Sequence, residues 1–155
     1  SSERLSASLS WHDISNTTAV IHRAKFIVSG LALLLTVATV QAEPPLYIRE
    51  GNSAYGKVLM TVDGNKVRQG NSSYGPVLFT IDGNKIREGN SSYGPVVATV
   101  ENGKVMAGDS SYGKVVANVG EGQVREGNSS YGKVIANTDG GQMSGAAAAS
   151  LLLMR

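Results

Sequence analysis

The 155-residue chain contains no cysteine, and only 6% of its residues are aromatic. The missing thiols exclude a disulfide framework, a thiolate metal site and a lipid-modified N-terminal cysteine. From Glu43 onward the sequence also lacks histidine and tryptophan. Without histidine or cysteine the common nucleophile–base pairs of enzymes are missing, and the acidic residues lie in turns or beside arginines. We therefore expect no enzyme, no catalytic residues, no metal site and no cofactor.

An excess of charge of one sign is lacking as well. The chain carries 14 basic and 12 acidic residues, a net charge of +2. Nucleic-acid-binding proteins normally present a strongly basic face. We therefore expect no nucleic-acid partner.

The sequence has no apolar run of the roughly 20 residues that a membrane-spanning helix needs. Its longest run, residues 26–40, follows Arg23 and Lys25 and ends in Val40-Gln41-Ala42. A basic start, an apolar middle and a small-x-small end are typical of a secretory signal. Residues 23–42 are predicted to be a signal peptide cleaved after Ala42, which places the protein in the periplasm, outer envelope or outside the cell. A retained N-terminal membrane anchor is the alternative.

Residues 1–22 precede that segment and are rich in serine at their start. This composition is typical of a disordered N-terminal extension. His12 and His22 lie ten residues apart without a further ligand. They are therefore not expected to bind a metal.

What the sequence does have is a 19-residue repeat. Five tyrosines recur at this spacing, each preceded by a Gly-Asn-Ser-like turn and followed by glycine: Tyr55, Tyr74, Tyr93, Tyr112 and Tyr131. After each tyrosine, apolar side chains alternate with a period of two, which predicts a strand. An Asp-Gly-like turn, such as Asp63-Gly64 or Asn102-Gly103, then predicts a hairpin with a returning strand. Fixed internal repetition of this kind decides the fold.

The repeats predict an all-β fold, a closed five-fold symmetric short antiparallel β-barrel of about ten strands over residues 46–140. An open solenoid would have atypical capping units, whereas the first and last repeats here match the middle ones. Closure is expected to pair residues 47–49 with residues 133–135, and it removes exposed strand edges. Four rings are expected to face the interior, beginning at Ile48, Val58, Met60 and Val62.

Residues 141–155 contain an alanine- and leucine-rich stretch that is a strong helix former. Ten strands enclose more space than their side chains fill. We expect this apolar C-terminal helix to plug the barrel. The alternative is a tail that inserts in a membrane or binds a partner.

The unit Arg-Glu-Gly-Asn-Ser-Ser-Tyr-Gly-Lys-Val at residues 125–134 resembles the repeat of the bacterial β-flower proteins. The resemblance covers about residues 46–145 and implies a shallow barrel with an apolar centre. That architecture is similar to the tubby C-terminal domain and the phospholipid scramblases, and it implies lipid or membrane association by analogy. Met106 departs from the pattern, because the other repeats have arginine at this position.

One group of side chains recurs near one rim of the predicted barrel. It is a candidate lipid-binding set, because basic residues attract anionic headgroups and tyrosine favours the interface: Arg49, Arg68, Arg87, Arg125, Lys57, Lys114, Lys133, Tyr55, Tyr74, Tyr93, Tyr112 and Tyr131. A structural alternative is a solvated ion-pair belt in which Glu50, Glu88 and Glu126 pair with arginines, while each tyrosine packs over its glycine.

The sequence thus predicts a non-enzymatic exported or envelope-associated protein that binds lipid or a membrane surface. The alternative is a structural or self-assembling interaction module with no small ligand. The oligomeric state does not follow from the sequence.

Overall fold

The computed structural model describes residues 38–39 and 41–155. The predicted extension (1–22) and most of the predicted signal peptide (23–42) lie outside these residues, and both stay predictions. A compact unit extends from Glu43 to Arg155. In the part of the chain that the structure describes, every helix is too short or too polar to cross a bilayer.

Residues 43–155 form short antiparallel strands followed by one helix. The elements are β1 (Leu46–Glu50), β2 (Val58–Asp63), β3 (Lys66–Gln69), β4 (Val77–Asp82), β5 (Lys85–Glu88), β6 (Val96–Glu101), β7 (Lys104–Ala107), β8 (Val115–Gly120), β9 (Gln123–Glu126), β10 (Val134–Thr138) and α1 (Gln142–Leu153). Each strand pairs with its neighbours in sequence, and β1 pairs with β10 to close a barrel. The predicted closed ten-strand barrel is confirmed.

The β1–β10 junction repeats the hydrogen bonds found elsewhere in the ring. The Thr61 hydroxyl donates to the Gly70 carbonyl nine residues ahead, and Thr80 and Thr99 do the same. At the junction the Asn137 amide donates to the Gly51 carbonyl 86 residues back. One full circuit of the ring is five 19-residue units. Going 86 residues back along the chain therefore reaches the same place in the ring as going nine residues ahead. The junction therefore resembles an ordinary repeat boundary.

The expected register at the junction was wrong. Ile48 lies opposite Thr138, and Glu50 lies opposite Ala136, so β1 does not pair with residues 133–135. In the observed register Ile48 lies opposite Thr138. Its equivalent in the next repeat, Val67, lies opposite Val62 in the same way. Interior residues thus face interior residues, since a one-residue slip would turn every side chain to the other face.

The tight turns are of two kinds. In the first hairpin Asp63 pairs with Lys66, so the two-residue loop is Gly64-Asn65 and not the expected Asp63-Gly64. Its glycine alone has positive φ, +58°, which fits a type II′ turn. Asn102-Gly103 and Glu121-Gly122 have positive φ at both residues, as type I′ turns require.

Three of the four expected interior rings are observed. The core includes most members of the rings that begin at Ile48, Met60 and Val62. The ring beginning at Val58 was wrong, because a register shift places Val58 opposite Arg49 while Met60 lies opposite Ile48. Each bulge inserts one extra residue after the Val58 position, and this residue packs against the core in place of the expected ring. The five inserted residues are Leu59, Leu78, Val97, Val116 and Ile135.

Helix α1 lies inside the barrel, as expected. The side chains of residues 146–149 are fully buried and belong to the same core cluster as the strand residues. The helix packs most closely against β6, β8, β9 and β10. There Ala98, Ala117 and Ala136 allow a close approach, whereas Met60 and Phe79 occupy the equivalent positions on β2 and β4. Large residues on one side of the ring and small residues on the other therefore fit an off-centre helix into a round barrel.

Candidate functional site

Five seven-residue loops carry the repeated tyrosines, and all are built alike. The first loop, residues 51–57, joins β1 to β2. Within each loop a serine hydroxyl accepts the backbone N–H of the tyrosine at 3.1 Å, as in a serine turn. The five serines are Ser53, Ser72, Ser91, Ser110 and Ser129. The serines and their turns thus have a structural role.

The glycine after each tyrosine is required by close backbone packing. A Cβ added to Gly94 would lie 2.3 Å from the Glu88 carbonyl oxygen. The same clash, at 2.3 to 2.7 Å, occurs at Gly56, Gly75, Gly113 and Gly132. Only glycine therefore allows the loop to fold back against the preceding strand.

Replacing Gly94 by alanine is expected to destabilise the protein by about 1–3 kcal/mol, because backbone atoms must move to admit the methyl group. Gly120→Ala is the matched control, since a Cβ there meets nothing within 4 Å, and its effect should stay within about 0.5 kcal/mol. Urea unfolding followed by circular dichroism measures both. Equal midpoints for the two variants would contradict the packing account.

The arginines of the candidate set hold these loops in place. Each arginine donates a hydrogen bond from Nη1 to the carbonyl of the glycine that follows the tyrosine of its repeat, at 2.9–3.1 Å. The four arginines are Arg49, Arg68, Arg87 and Arg125. In the fourth repeat Met106 takes this position and is buried. Each arginine is half-buried along the strand wall. The arginines therefore position the loops, with further N–H donors left over.

The expected ion-pair belt is not the arrangement found. Among residues 43–155 the ion pairs are Lys85–Asp109, Arg87–Asp82 and Arg155–Glu88, so Glu50, Glu88 and Glu126 do not pair with the repeat arginines. Lys57, Lys114 and Lys133 are exposed, and no carboxylate of the described residues lies within ion-pair distance of them.

The five repeated tyrosine side chains, like the exposed lysines, have no structural role in the loops. They are 96–100% exposed, so the alternative in which each packs over its glycine is wrong. We call Tyr55, Tyr74, Tyr93, Tyr112 and Tyr131 the tyrosine crown. Five exposed aromatic rings on loops at one end of the barrel make that end a candidate interaction surface.

The C-terminal end of helix α1 emerges at the barrel edge where these loops begin. Leu151 and Arg155 line an open groove of about 320 Å³ together with Lys57 and Gly70. On the other side Leu153 lines a groove with Lys114 and Gly127. Sequence reasoning placed lysines near one rim but missed that an apolar helix end lies beside them.

The family model described as "6-fold beta flower protein" matches residues 48–153, which is more than half of the chain. The chain belongs to the beta flower family. The match includes helix α1, so the plug and the barrel fall within one family pattern. In this beta flower the ring closes with ten strands, two for each of its five repeats, whereas the family description is six-fold.

No curated protein and no solved structure matches this beta flower. Its expected similarity to tubby-like barrels therefore stays a prediction. The family match supports a small repeat protein and names no ligand.

Proposed function

We propose that this beta flower is an exported, non-catalytic module that binds anionic membrane surfaces through its tyrosine crown and exposed lysines. The observation that carries the proposal is the 96–100% exposure of all five crown side chains, whereas the recurrent serines, glycines and arginines around them have structural roles. Tyrosine has an apolar ring and a polar tip, which suits it to the membrane–water interface.

Charge supports an anionic surface as the partner. Lys57, Lys114 and Lys133 each lie two residues after a crown tyrosine and are exposed. A lysine near an anionic membrane contributes about 1 kcal/mol. The arginines stabilise the loops that present the tyrosines and lysines. Because helix α1 fills the barrel centre, the membrane would contact the outer surface of the protein.

Export is proposed on the signal-like sequence of residues 23–42. The compact unit begins at Glu43, directly after the predicted cleavage point. Cleavage would therefore release the whole barrel with its core. The proposed locations are the periplasm, the outer envelope or the exterior.

Vesicle flotation tests membrane binding. Residues 43–155 contain the entire described core cluster, so they can be used without the apolar run at 26–40. We expect flotation with phosphatidylglycerol vesicles and much weaker flotation with pure phosphatidylcholine. Raising the salt from about 0.1 M to about 1 M shortens the Debye length from about 10 Å to about 3 Å and should weaken binding several-fold.

Absence of flotation with anionic vesicles at low salt would reject the proposal. Light scattering of the same sample tests the alternative, a self-assembling module. A defined oligomer that dissociates when crown tyrosines are replaced would assign the crown to self-association.

A further inference from the structure

One hairpin departs from the repeat in a way that opens a pocket. At the last position before the β8–β9 turn stands Gly120, whereas the other repeats have an acidic residue there: Asp63, Asp82, Glu101 and Asp139. In the β4–β5 hairpin this acid accepts a hydrogen bond from Arg87 Nε at 2.8 Å. Arg125 occupies the equivalent place beside Gly120, and no carboxylate of the described residues lies within ion-pair distance of it.

The space left by the missing side chain belongs to an open pocket of about 510 Å³. Its lining residues are Asn118, Gly120, Glu121, Arg125, Ser130 and Tyr131. This volume lies within the range of small-ligand sites. The pocket joins an outer-wall arginine to a crown tyrosine, and the lining combines a cation, a carboxylate, polar groups and an aromatic ring.

The backbone at Glu121 is a second, independent observation. Glu121 has φ of +54°, a region that glycine, asparagine and aspartate populate more readily than glutamate. The same turn position holds Gly64, Gly83 or Asn102 in other hairpins, all residues suited to it. A residue kept in a strained conformation is a pointer to function, and here its side chain lines the pocket.

We propose that this pocket binds a zwitterionic phosphodiester headgroup of the phosphoethanolamine or phosphocholine type. Arg125 donates to the Gly132 carbonyl and to Gln123, which leaves N–H donors for a phosphate, a group that guanidinium binds well. Glu121 and the Tyr131 ring are suited to the ammonium, because carboxylates and aromatic faces both attract cations. The inference rests on the proposed membrane function and adds one zwitterionic headgroup site to the anionic contact. One such site per protein does not replace the charge attraction, so flotation on pure phosphatidylcholine stays much weaker.

The test uses soluble glycerophosphoethanolamine and glycerophosphocholine, titrated into residues 43–155 and followed by NMR. The Gly120 and Glu121 amide signals should shift in a saturable way. Gly120→Asp restores the acid of the other repeats beside Arg125 and should weaken binding at least tenfold. The substitution should fold normally, because a Cβ at Gly120 meets nothing within 4 Å. Gly120→Ala, which adds no charge, should retain binding.

Two further variants separate this site from the crown as a whole. Tyr131→Ser should weaken headgroup binding, whereas Tyr93→Ser, at the equivalent position of another loop, should leave it unchanged. Glu121→Gly should weaken binding while raising the unfolding midpoint, because it removes the strained residue. Flotation on anionic vesicles should survive Gly120→Asp, so a failure here is distinguishable from a failure of the membrane proposal.

No shift at Gly120 and Glu121 with either headgroup overturns the inference. Shifts with neutral N-acetylglucosamine but not with the headgroups would assign the pocket to a sugar and would overturn it as well. Equal weakening by Tyr93→Ser and Tyr131→Ser would show that the pocket is not the site.

Discussion

Ending the chain at Gly141 is expected to abolish cooperative unfolding of the barrel. The truncation removes the buried residues 146–149, so the interior side chains of the strands lose their packing contacts with the helix. A cavity costs about 24 cal/mol per Å³, so a void of a few hundred Å³ costs several kcal/mol. Small domains have a total stability of only about 5–15 kcal/mol. The truncated chain should show a broad urea transition and bind a dye for exposed apolar surface.

The control for this truncation is Leu152→Gln, because Leu152 lies on the same helix and is 39% exposed. Its unfolding midpoint should change little, by about 0.5 kcal/mol or less. A truncated chain with the native midpoint would contradict the plug and would support a separate tail.

A single residue gives a finer test of the same packing. A Cβ added to Gly145 would lie 2.5 Å from Val119 Cγ1 and 3.1 Å from Val124 Cγ2. The overpacking cost of about 1–3 kcal/mol is partly offset by a gain in helix propensity of about 1 kcal/mol, so Gly145→Ala should destabilise the protein by up to about 2 kcal/mol. Adding Val119→Ala makes room for the methyl group, so the double variant should be more stable than the sum of the two single effects. Additive effects would show that the helix does not press on this wall.

Replacing all five crown tyrosines by serine is expected to abolish flotation while leaving the fold intact. The side chains are 96–100% exposed, so each replacement should change stability by about 0.5 kcal/mol or less. Burying only about 20 Å² of each ring in the interface, at about 25 cal/mol per Å², contributes about 0.5 kcal/mol. Five rings acting together contribute about 2.5 kcal/mol, which is roughly a 70-fold change in affinity.

The corresponding control replaces all five tyrosines by phenylalanine, which keeps the rings and removes the hydroxyl groups. This variant should still float with anionic vesicles. If the serine variant floats as well as the native protein, the crown is not the membrane contact. If one tyrosine accounts for the entire loss, the shared five-fold contact is wrong.

The repeat was sufficient to predict the barrel because its period carries long-range information. Nineteen-residue self-similarity predicts that each hairpin repeats its neighbour, and matched end repeats favour closure over a capped stack. The register could not be obtained in the same way. A bulge between Val58 and Met60 shifts the strand by one residue, and alternation alone does not reveal where an extra residue enters.

The candidate site was likewise predictable only in part from the sequence. The recurrence of tyrosine, arginine and lysine identified the loops, but spacing cannot show whether a side chain packs inward or points to solvent. The structure assigns Arg87 to a loop carbonyl and leaves Tyr93 exposed. The pocket beside Gly120 had a visible signal in the sequence, a glycine where other repeats have an acid, yet its meaning depends on where Arg125 and Tyr131 lie.

The sequence by itself determined the hairpin unit, its five copies, the closed ring and an apolar helix suited to the centre, because periodicity and composition are local properties that repetition extends. Only the tertiary structure decided the strand register, the off-centre seat of the helix and the exposure of the tyrosine crown. Those features depend on contacts between residues far apart in the chain, such as the pairing of Ile48 with Thr138 and the contact of Gly145 with Val119.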